Sequence, residues 1–170
     1  MSKTLQIFKR ETEKLTPSLK KFLKKFDKKR IPAIQPLIDI ASEEAWEKTD
    51  CLDCAHCCKV MTPTFTPSDI KRIAAFLNMS PKAFYDKWLE TDKDNGDKVN
   101  KTQPCQFLNL KDNKCSIYEV RPYDCSAFPH FNKKPFDDYN HIHEQNIAYC
   151  PATLTFVKKM KEQVEEQYEW

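Results

Sequence analysis

Apolar residues recur at helical spacing in several stretches of the chain, and prolines separate these stretches. The first stretch has lysines between its apolar positions and predicts a basic amphipathic helix. Its apolar positions are Leu15, Leu19, Phe22, Leu23 and Phe26. Pro32 and Pro36 end this helix, and residues 36–48 predict a second one. The predicted apolar side of the second helix consists of Leu37, Ile40, Ala41 and Trp46.

Two further helix starts lie in the middle of the chain. Thr66 suits an N-cap, Pro67 the first helical position, and Asp69 the first turn, where a carboxylate favours the helix dipole. Ser80 and Pro81 repeat this pattern. The two short helices are predicted to pack against each other and against the metal loop through Ile70, Ile73, Ala74, Leu77, Phe84 and Trp88.

The second half of the chain is predicted to be irregular until its last helix. Residues 91–104 predict a polar loop, and the following turn predicts a short hairpin that returns Cys115 towards Cys105. Pro151 opens the final helix. The apolar stripe of that helix consists of Leu154, Val157, Met160, Val164 and Tyr168.

These elements predict a mainly α fold, one domain of short helices and irregular loops organised around a cysteine metal cluster. Within residues 1–170, we expect residues 1–45 to form a basic N-terminal helical extension. Residues 46–155 are the expected metal-binding core, and residues 156–170 the end of the C-terminal helix.

Composition excludes several classes of protein. Gly96 is the single glycine, so neither a phosphate-binding P-loop nor a dinucleotide-binding glycine motif can be written on this chain. No apolar stretch is long enough to predict a membrane span. Charged residues stand where an export signal would have its apolar region, so we expect a cytoplasmic protein.

The first 30 residues carry a net charge of +8, from eleven Lys or Arg against three Asp or Glu. Two interpretations are open for this basic helix: contact with nucleic acid or an anionic membrane, or a solvated face that docks on the acidic remainder of the protein. The second is favoured because no Arg-rich or aromatic nucleic-acid motif accompanies the lysines. We expect no nucleic-acid partner and leave a protein partner open.

Eight cysteines carry the chemistry of the sequence. In a reducing compartment, closely spaced cysteines are more often metal ligands than disulfides. A two-residue gap allows a tight turn to bring successive sulfurs to one point. The predicted metal ligands are Cys51, Cys54, Cys57, Cys58, Cys105, Cys115, Cys125 and Cys150.

Zinc and an iron–sulfur cluster both remain open as the bound species. Zinc ribbons use two C-x2 to 4-C pairs, and only the first half of this sequence has such a pair. The spacing C-x2-C-x2-C with a distant Cys-Pro is typical of bacterial 4Fe-4S ligands. One division of the thiols gives a cluster held by Cys51, Cys54, Cys57 and Cys150. It leaves Cys58, Cys105, Cys115 and Cys125 for a second site or a structural zinc.

Thiolates on a metal leave a negative charge that nearby cations can offset. Lys59 and Arg121 are adjacent or close in sequence to predicted ligands and are candidates for this role, with ordinary surface charge as the alternative. The chain has enough thiols, so its histidines are left out of the predicted ligand set.

The motif C-x2-C-x2-C-C, followed by CSIY-E-x-R-P-x-x-C-x-x-F-P and a final C-P, closely resembles the zinc- or iron-chelating cysteine-cluster family called CxxCxxCC or YkgJ-like proteins. The resemblance runs from Cys51 to Pro151 and includes the helix start from Thr66 to Ile70. Members commonly have Arg after the position of Cys125, whereas this chain has Ser126.

The resemblance implies a small, bacterial, cytoplasmic metal-binding protein of undefined role. Some larger proteins with the same cysteine motif methylate lysines of flagellin, which implies a protein-modifying enzyme as one alternative. This chain shows no recognisable site for a methyl donor, so a binding module for zinc or an iron–sulfur cluster is favoured. A scaffold that uses zinc only to hold a partner-binding surface is the third alternative.

Overall fold

The computed structural model describes residues 3–26 and 28–169. It confirms a mainly α fold. Backbone contacts divide the chain into two compact units: the first combines the chain up to Cys54 with the chain from Pro129 onward, and the second is Ala55–Phe128. A single domain over residues 1–170 stays a prediction, and residues 1, 2, 27 and 170 lie outside the described part.

The first half of the chain contains helices α1 Lys3–Phe26, α2 Gln35–Lys48, α3 Cys51–Cys54, α4 His56–Val60, α5 Pro67–Phe76 and α6 Pro81–Trp88. Strands β1 Leu89–Thr91 and β2 Lys98–Asn100 follow. The remaining helices are α7 Tyr123–Ala127, α8 Asn140–Asn146 and α9 Pro151–Gln167, with 3-10 turns at Tyr118–Val120 and Phe136–Tyr139.

The first unit contains three long helices, and α9 packs against both α1 and α2. The predicted helix in the basic N-terminal segment is confirmed as part of α1, and four of its five predicted apolar positions are buried. In α9 the predicted stripe is buried from Leu154 to Val164, whereas Tyr168 follows the end of the helix. The side chain of Gln163 donates a hydrogen bond to the carbonyl oxygen of Leu37 at 3.1 Å, which ties α9 to α2.

Helix α2 is confirmed, but its predicted apolar side is wrong at two positions. Ile40 is 48% exposed and Trp46 43% exposed. The buried side consists of Leu37, Ile38, Ala41 and Ala45. The two alanines lie one helical turn apart and allow the close approach of α9, so the packed face includes small residues beside Leu37 and Ile38.

The second unit begins with the predicted helix pair. Thr66 Oγ1 accepts from the backbone N–H of Asp69 at 3.1 Å, and Ser80 Oγ accepts from that of Ala83 at 3.1 Å, so both predicted N-caps are confirmed. The predicted contacts between the two helices are confirmed as well, since Ile73, Ala74 and Phe84 are buried and Ile70, Leu77 and Trp88 pack partly buried around them. Packing of these residues against the cysteine loop stays a prediction.

The predicted polar loop at residues 91–104 is partly wrong, because residues 98–100 form a strand. Glu90 pairs with Val99 in an antiparallel hairpin, and the turn places Gly96 at φ +80°. Val99 and Asn100 are buried, and the backbone N–H of Phe65 donates to the carbonyl oxygen of Lys98 at 2.8 Å. This segment is a strand despite its polar composition, because its backbone pairs with β1 on one side and bonds to Phe65 on the other.

The predicted hairpin after Cys105 is confirmed in a minimal form. Leu108 and Cys115 form a single antiparallel bridge, and the backbone N–H of Asn109 donates to the carbonyl oxygen of Lys114 at 2.8 Å. Among residues 3–26 and 28–169, no helix has the length and apolar character needed to cross a membrane.

Candidate metal centre

Four cysteines of the second unit lie close enough to act on one another electrostatically. A charge on Cys58 raises the pKa of each of the other three thiols, and charges on Cys105 and Cys115 also raise the pKa of Cys125. All four are only partly exposed to solvent. The second unit therefore brings these four thiols into one neighbourhood, and four is the number of thiolates that one tetrahedral metal ion or one cubane cluster uses.

Short backbone contacts place three of these thiols. Cys58 lies on α4, and its carbonyl oxygen accepts from the backbone N–H of Cys105 at 2.9 Å. The carbonyl oxygen of Cys105 accepts in turn from the backbone N–H of Leu108 at 2.9 Å, and Leu108 forms a β-bridge with Cys115. Cys105 and Cys115 also pack against the apolar core of the unit, so their side chains are held from one side by that core.

Cys125 lies on α7, which the start of α5 holds in place. The carboxylate of Asp69 accepts from the backbone N–H of Tyr123 at 3.1 Å, and Arg72 donates to the carbonyl oxygen of Arg121 at 2.9 Å. The carboxylate of Asp124 accepts from the N–H of Thr64 at 3.1 Å. These three bonds fix the segment immediately before Cys125.

The four thiols differ in acidity. A hydrogen bond from Cys57 lowers the pKa of Cys58 to about 7, against the opposing effect of burial and with help from the charge of Lys59. Burial raises the pKa of Cys105, Cys115 and Cys125. Cys58 is thus the most acidic thiol of this set.

Cys57 is a fifth thiol of the second unit. Its sulfur lies 3.9 Å from that of Cys58, within the range of a sulfur hydrogen bond. The two residues are consecutive on α4, which begins after Ala55 in the left-handed conformation at φ 43°. This break in the backbone ends α3 before the third cysteine of the motif.

The first unit holds the other three cysteines. Cys54 and Cys150 are buried, and the charge of Cys54 raises the pKa of Cys150, whose main cause of elevation is burial. The Thr153 hydroxyl and the backbone N–H groups that open α9 oppose this effect by hydrogen bonding to the Cys150 sulfur. Cys51 lies three residues before Cys54 on α3 and is exposed.

The thiols of the second unit fit a metal in chemistry, because thiolates are the donors that zinc and iron–sulfur clusters use. In the described part of the chain, no three His, Cys, Asp or Glu side chains stand in an arrangement that holds a metal ion. Burial and the repulsion between neighbouring negative charges both disfavour ionisation of all four thiols in the absence of a cation. A cation would relieve both effects, so these donors suit a thiophilic metal.

The two predicted cations act on thiols at a distance. Lys59 donates to the side-chain oxygen of Asn113 at 2.7 Å, and its charge lowers the pKa of Cys58. Arg121 lies 3.9 Å from the ring centre of Tyr118 and donates to the Tyr118 carbonyl oxygen at 2.7 Å. Its charge lowers the pKa of Cys115, although burial raises that pKa more.

Sequence reasoning missed three residues that support this arrangement. Asp69 was expected only as a helix-start carboxylate, but it is 1% exposed and also holds α7 through Tyr123. Arg72 and Asn100 had no predicted role. Arg72 could have been found from its position three residues after Asp69, whereas no local signal marks Asn100 as a neighbour of Cys105.

A mainly α fold with eight cysteines, five of them in the second unit, defines a small cysteine-rich protein. The model of the CxxCxxCC family, described as "putative zinc- or iron-chelating domain", matches residues 50–151, and the chain belongs to this family. The predicted resemblance is therefore confirmed.

A relative in Methanocaldococcus jannaschii, named only as an uncharacterized protein, is 32% identical over 87 residues, which is 47% of this chain and 43% of the relative. The chain thus spans less than half the length of that relative. No solved structure matches the chain.

Proposed function

We propose that the protein binds zinc or iron through its cysteines, and that Cys58, Cys105, Cys115 and Cys125 form one complete ligand set. The observation that supports this most is the match of the zinc- or iron-chelating family model to residues 50–151. Within the second unit, the Cys105 N–H donates to the Cys58 carbonyl oxygen at 2.9 Å, and Leu108 is bridged to Cys115, so the segments that carry these thiols are tied together. Four thiolates and no other donor make a closed site. A closed site favours a binding module over metal-based catalysis.

The residues of the second unit have separate roles in this proposal. Cys58 supplies the first thiolate, because its thiol is the acidic one of the set. Lys59 and Arg121 offset the charge of the sulfurs from a distance. Asp69 and Asp124 hold the segment of Cys125. A bound zinc ion would supply folding stability, and a bound cluster would supply electron transfer.

The iron–sulfur form of the proposal adds a second centre, which a separate observation favours. Cys54 and Cys150 are both buried in the first unit. Burial raises the pKa of the Cys150 thiol, and a charge on Cys54 raises it further. They are also the second cysteine of the C-x2-C-x2-C motif and the cysteine of the final Cys-Pro. With Cys51, the first unit supplies three thiols of the predicted set Cys51, Cys54, Cys57 and Cys150, and a cubane cluster uses four.

Nothing favours the two other functions that the sequence left open. The M. jannaschii relative carries no printed activity, so it lends no support to lysine methylation. A scaffold function needs a partner, and the names of the matched family and of this relative give none. Metal binding itself is therefore the function to test first.

The test is metal and acid-labile sulfide content of protein purified without oxygen, together with its visible spectrum. One zinc per chain and a colourless protein support the zinc form. Roughly four iron and four sulfide per centre support the cubane form. A metal-free protein that binds neither zinc nor iron on titration contradicts the proposal.

Two matched variants assign the metal to the second unit. Cys125→Ser removes one sulfur of the proposed set, and we expect it to lose one metal centre. Ser126→Ala changes the next residue, whose hydroxyl donates to the carbonyl oxygen of Tyr123 at 2.8 Å, and should keep full metal content. Cys54→Ser reports the first unit, and an unchanged iron content in that variant removes the second centre from the proposal.

A further inference from the structure

Asn100 is a buried amide at the end of β2, and it is 6% exposed. Its Oδ1 accepts from the side-chain nitrogen of Gln106 at 2.9 Å, and its backbone N–H donates to Thr62 Oγ1 at 3.0 Å. The bond from Gln106 sets the orientation of the Asn100 amide, because it engages the oxygen and turns the nitrogen away.

The Asn100 nitrogen, Nδ2, has no hydrogen-bond partner among the described residues. Gln106, whose side chain holds this amide at 2.9 Å, is the residue directly after Cys105. Burial raises the pKa of the Cys105 thiol, and the Asn100 side chain opposes that rise as a donor. A buried donor without a partner costs about 1–3 kcal/mol of folding free energy. Native proteins rarely keep such a group without a reason, so an acceptor is expected at this point.

The neighbouring sulfur becomes a suitable acceptor only when it is ionised. A neutral thiol accepts hydrogen bonds weakly, whereas a thiolate on a metal carries charge that N–H donors stabilise. Cys105 is itself one of the four thiols of the proposed set. The unsatisfied donor therefore suits the metal-loaded state of the protein better than the free thiol.

We propose that Asn100 is a positioning residue that donates an N–H···S hydrogen bond to the Cys105 thiolate when the second unit holds its metal. The inference rests on the proposed function, since it needs metal at that site. The opposite orientation of the amide presents an acceptor to the sulfur, and it suits a neutral thiol. Substitutions at position 100 distinguish the two arrangements.

The test uses Co²⁺ and Zn²⁺ as probes on the full chain, with metal affinity and the sulfur-to-cobalt charge-transfer band as readouts. Asn100→Leu keeps the approximate volume and removes the donor. We expect roughly tenfold weaker metal binding. Losing a hydrogen bond to a metal ligand typically weakens metal affinity by about 10–100-fold, and this is the smaller of the two values. The charge-transfer band should move to lower energy, because the sulfur loses the bond that stabilises its electrons.

Asn146→Leu is the matched control. Asn146 is 3% exposed in the first unit and also has an Nδ2 without a partner among the described residues, so the same change is made at equal burial. It should leave the cobalt band and the affinity of the second unit unchanged. A purely structural role of Asn100 predicts a lower unfolding midpoint of metal-free protein and a normal cobalt band, which overturns the proposal.

Asn100→Asp keeps the shape and the bond from Gln106 but replaces the donor by an acceptor. At pH 8 we expect it to bind metal more weakly than Asn100→Leu, and wild-type affinity in both variants overturns the inference. Failure of the proposed function looks different. In that case wild-type protein binds no Co²⁺, or Cys125→Ser binds it as well as wild type does.

Discussion

His143 lies on α8 and is fully buried in the first unit, with 0% exposure. Its ring stacks on Phe136 with 4.9 Å between ring centres, and Phe131 and Phe156 complete the apolar surroundings. Neither ring nitrogen has a hydrogen-bond partner within the described chain. Burial lowers the pKa of His143 to about 4, and the charges of His130, His141 and Lys133 add to the effect.

The pKa of His143 predicts that acid destabilises the first unit. The folded pKa lies below the ordinary value of 6.5, so the unfolded chain binds the proton more tightly. The contribution of His143 to the free energy of unfolding is therefore fully present above pH 6.5. It falls by roughly 3 kcal/mol as the pH drops from 6.5 towards 4. The measurement is urea unfolding at pH 7.5, 5.5 and 4.5, followed by the fluorescence of Trp46, which contacts Phe131.

His143→Phe should flatten this dependence, because it removes the titrating group from an aromatic environment. His141→Gln is the control, since residue 141 is exposed on the same helix, and it should keep most of the dependence. An unchanged acid response in His143→Phe means that another group carries the effect.

Single residues also show what the sequence can and cannot predict about the site. The spacing of cysteines 51 to 58 predicts ligands, because short gaps allow sulfurs to come together without tertiary information. Gaps of nine residues carry no such information, and the burial of Cys105 and Cys125 depends on packing. The left-handed backbone of Ala55 was equally hidden, because glycine is the residue that normally marks this conformation.

Secondary structure was predictable where local chemistry decides it. The caps at Thr66 and Ser80 satisfy free backbone groups within three residues, so their sequence signal is complete. Strand β2 was missed because its partners, β1 and the segment at Phe65, are distant along the chain. The packed side of α2 was misassigned because α9 selects small residues there, and residue size alone did not reveal that contact.

Asp69 joins two elements of the second unit, and its substitution should loosen both. Its two oxygens accept from the Thr66 backbone and hydroxyl, from Arg72 at 2.7 Å and from the Tyr123 N–H. Burial alone raises the pKa of Asp69, but these hydrogen bonds outweigh it and lower the pKa. In Asp69→Asn, an NH2 group replaces one of the two accepting oxygens and faces N–H or O–H donors without accepting from them. We expect the free energy of unfolding to fall by about 2–3 kcal/mol.

Urea unfolding followed by Trp88 fluorescence measures the Asp69→Asn effect in the second unit. Metal affinity should fall as well, because the segment before Cys125 loses its anchor. Asp86→Asn is the control: Asp86 pairs with Lys82 on the exposed face of α6, where an ion pair contributes only a few tenths of a kcal/mol. Equal stability of the two variants contradicts the anchoring role.

For the whole molecule, the two units carry natural reporters. Trp88 packs against Phe84 and Phe107 in the second unit, with 5.3 Å between ring centres in each pair. Trp46 lies in the first unit, 5.7 Å from the ring of Phe131. A background of Trp46→Phe and Trp170→Phe isolates the second unit, and Trp88→Phe with Trp170→Phe isolates the first.

Metal that binds the folded second unit must stabilise it by mass action. At a free concentration one hundred times the dissociation constant, the gain is about 2.7 kcal/mol. We therefore expect zinc to raise the melting temperature reported by Trp88, and Cys125→Ser to abolish that rise. If zinc instead moves only the Trp46 transition, the ligand set lies with Cys54 and Cys150, and the four thiols of the second unit are not the metal site.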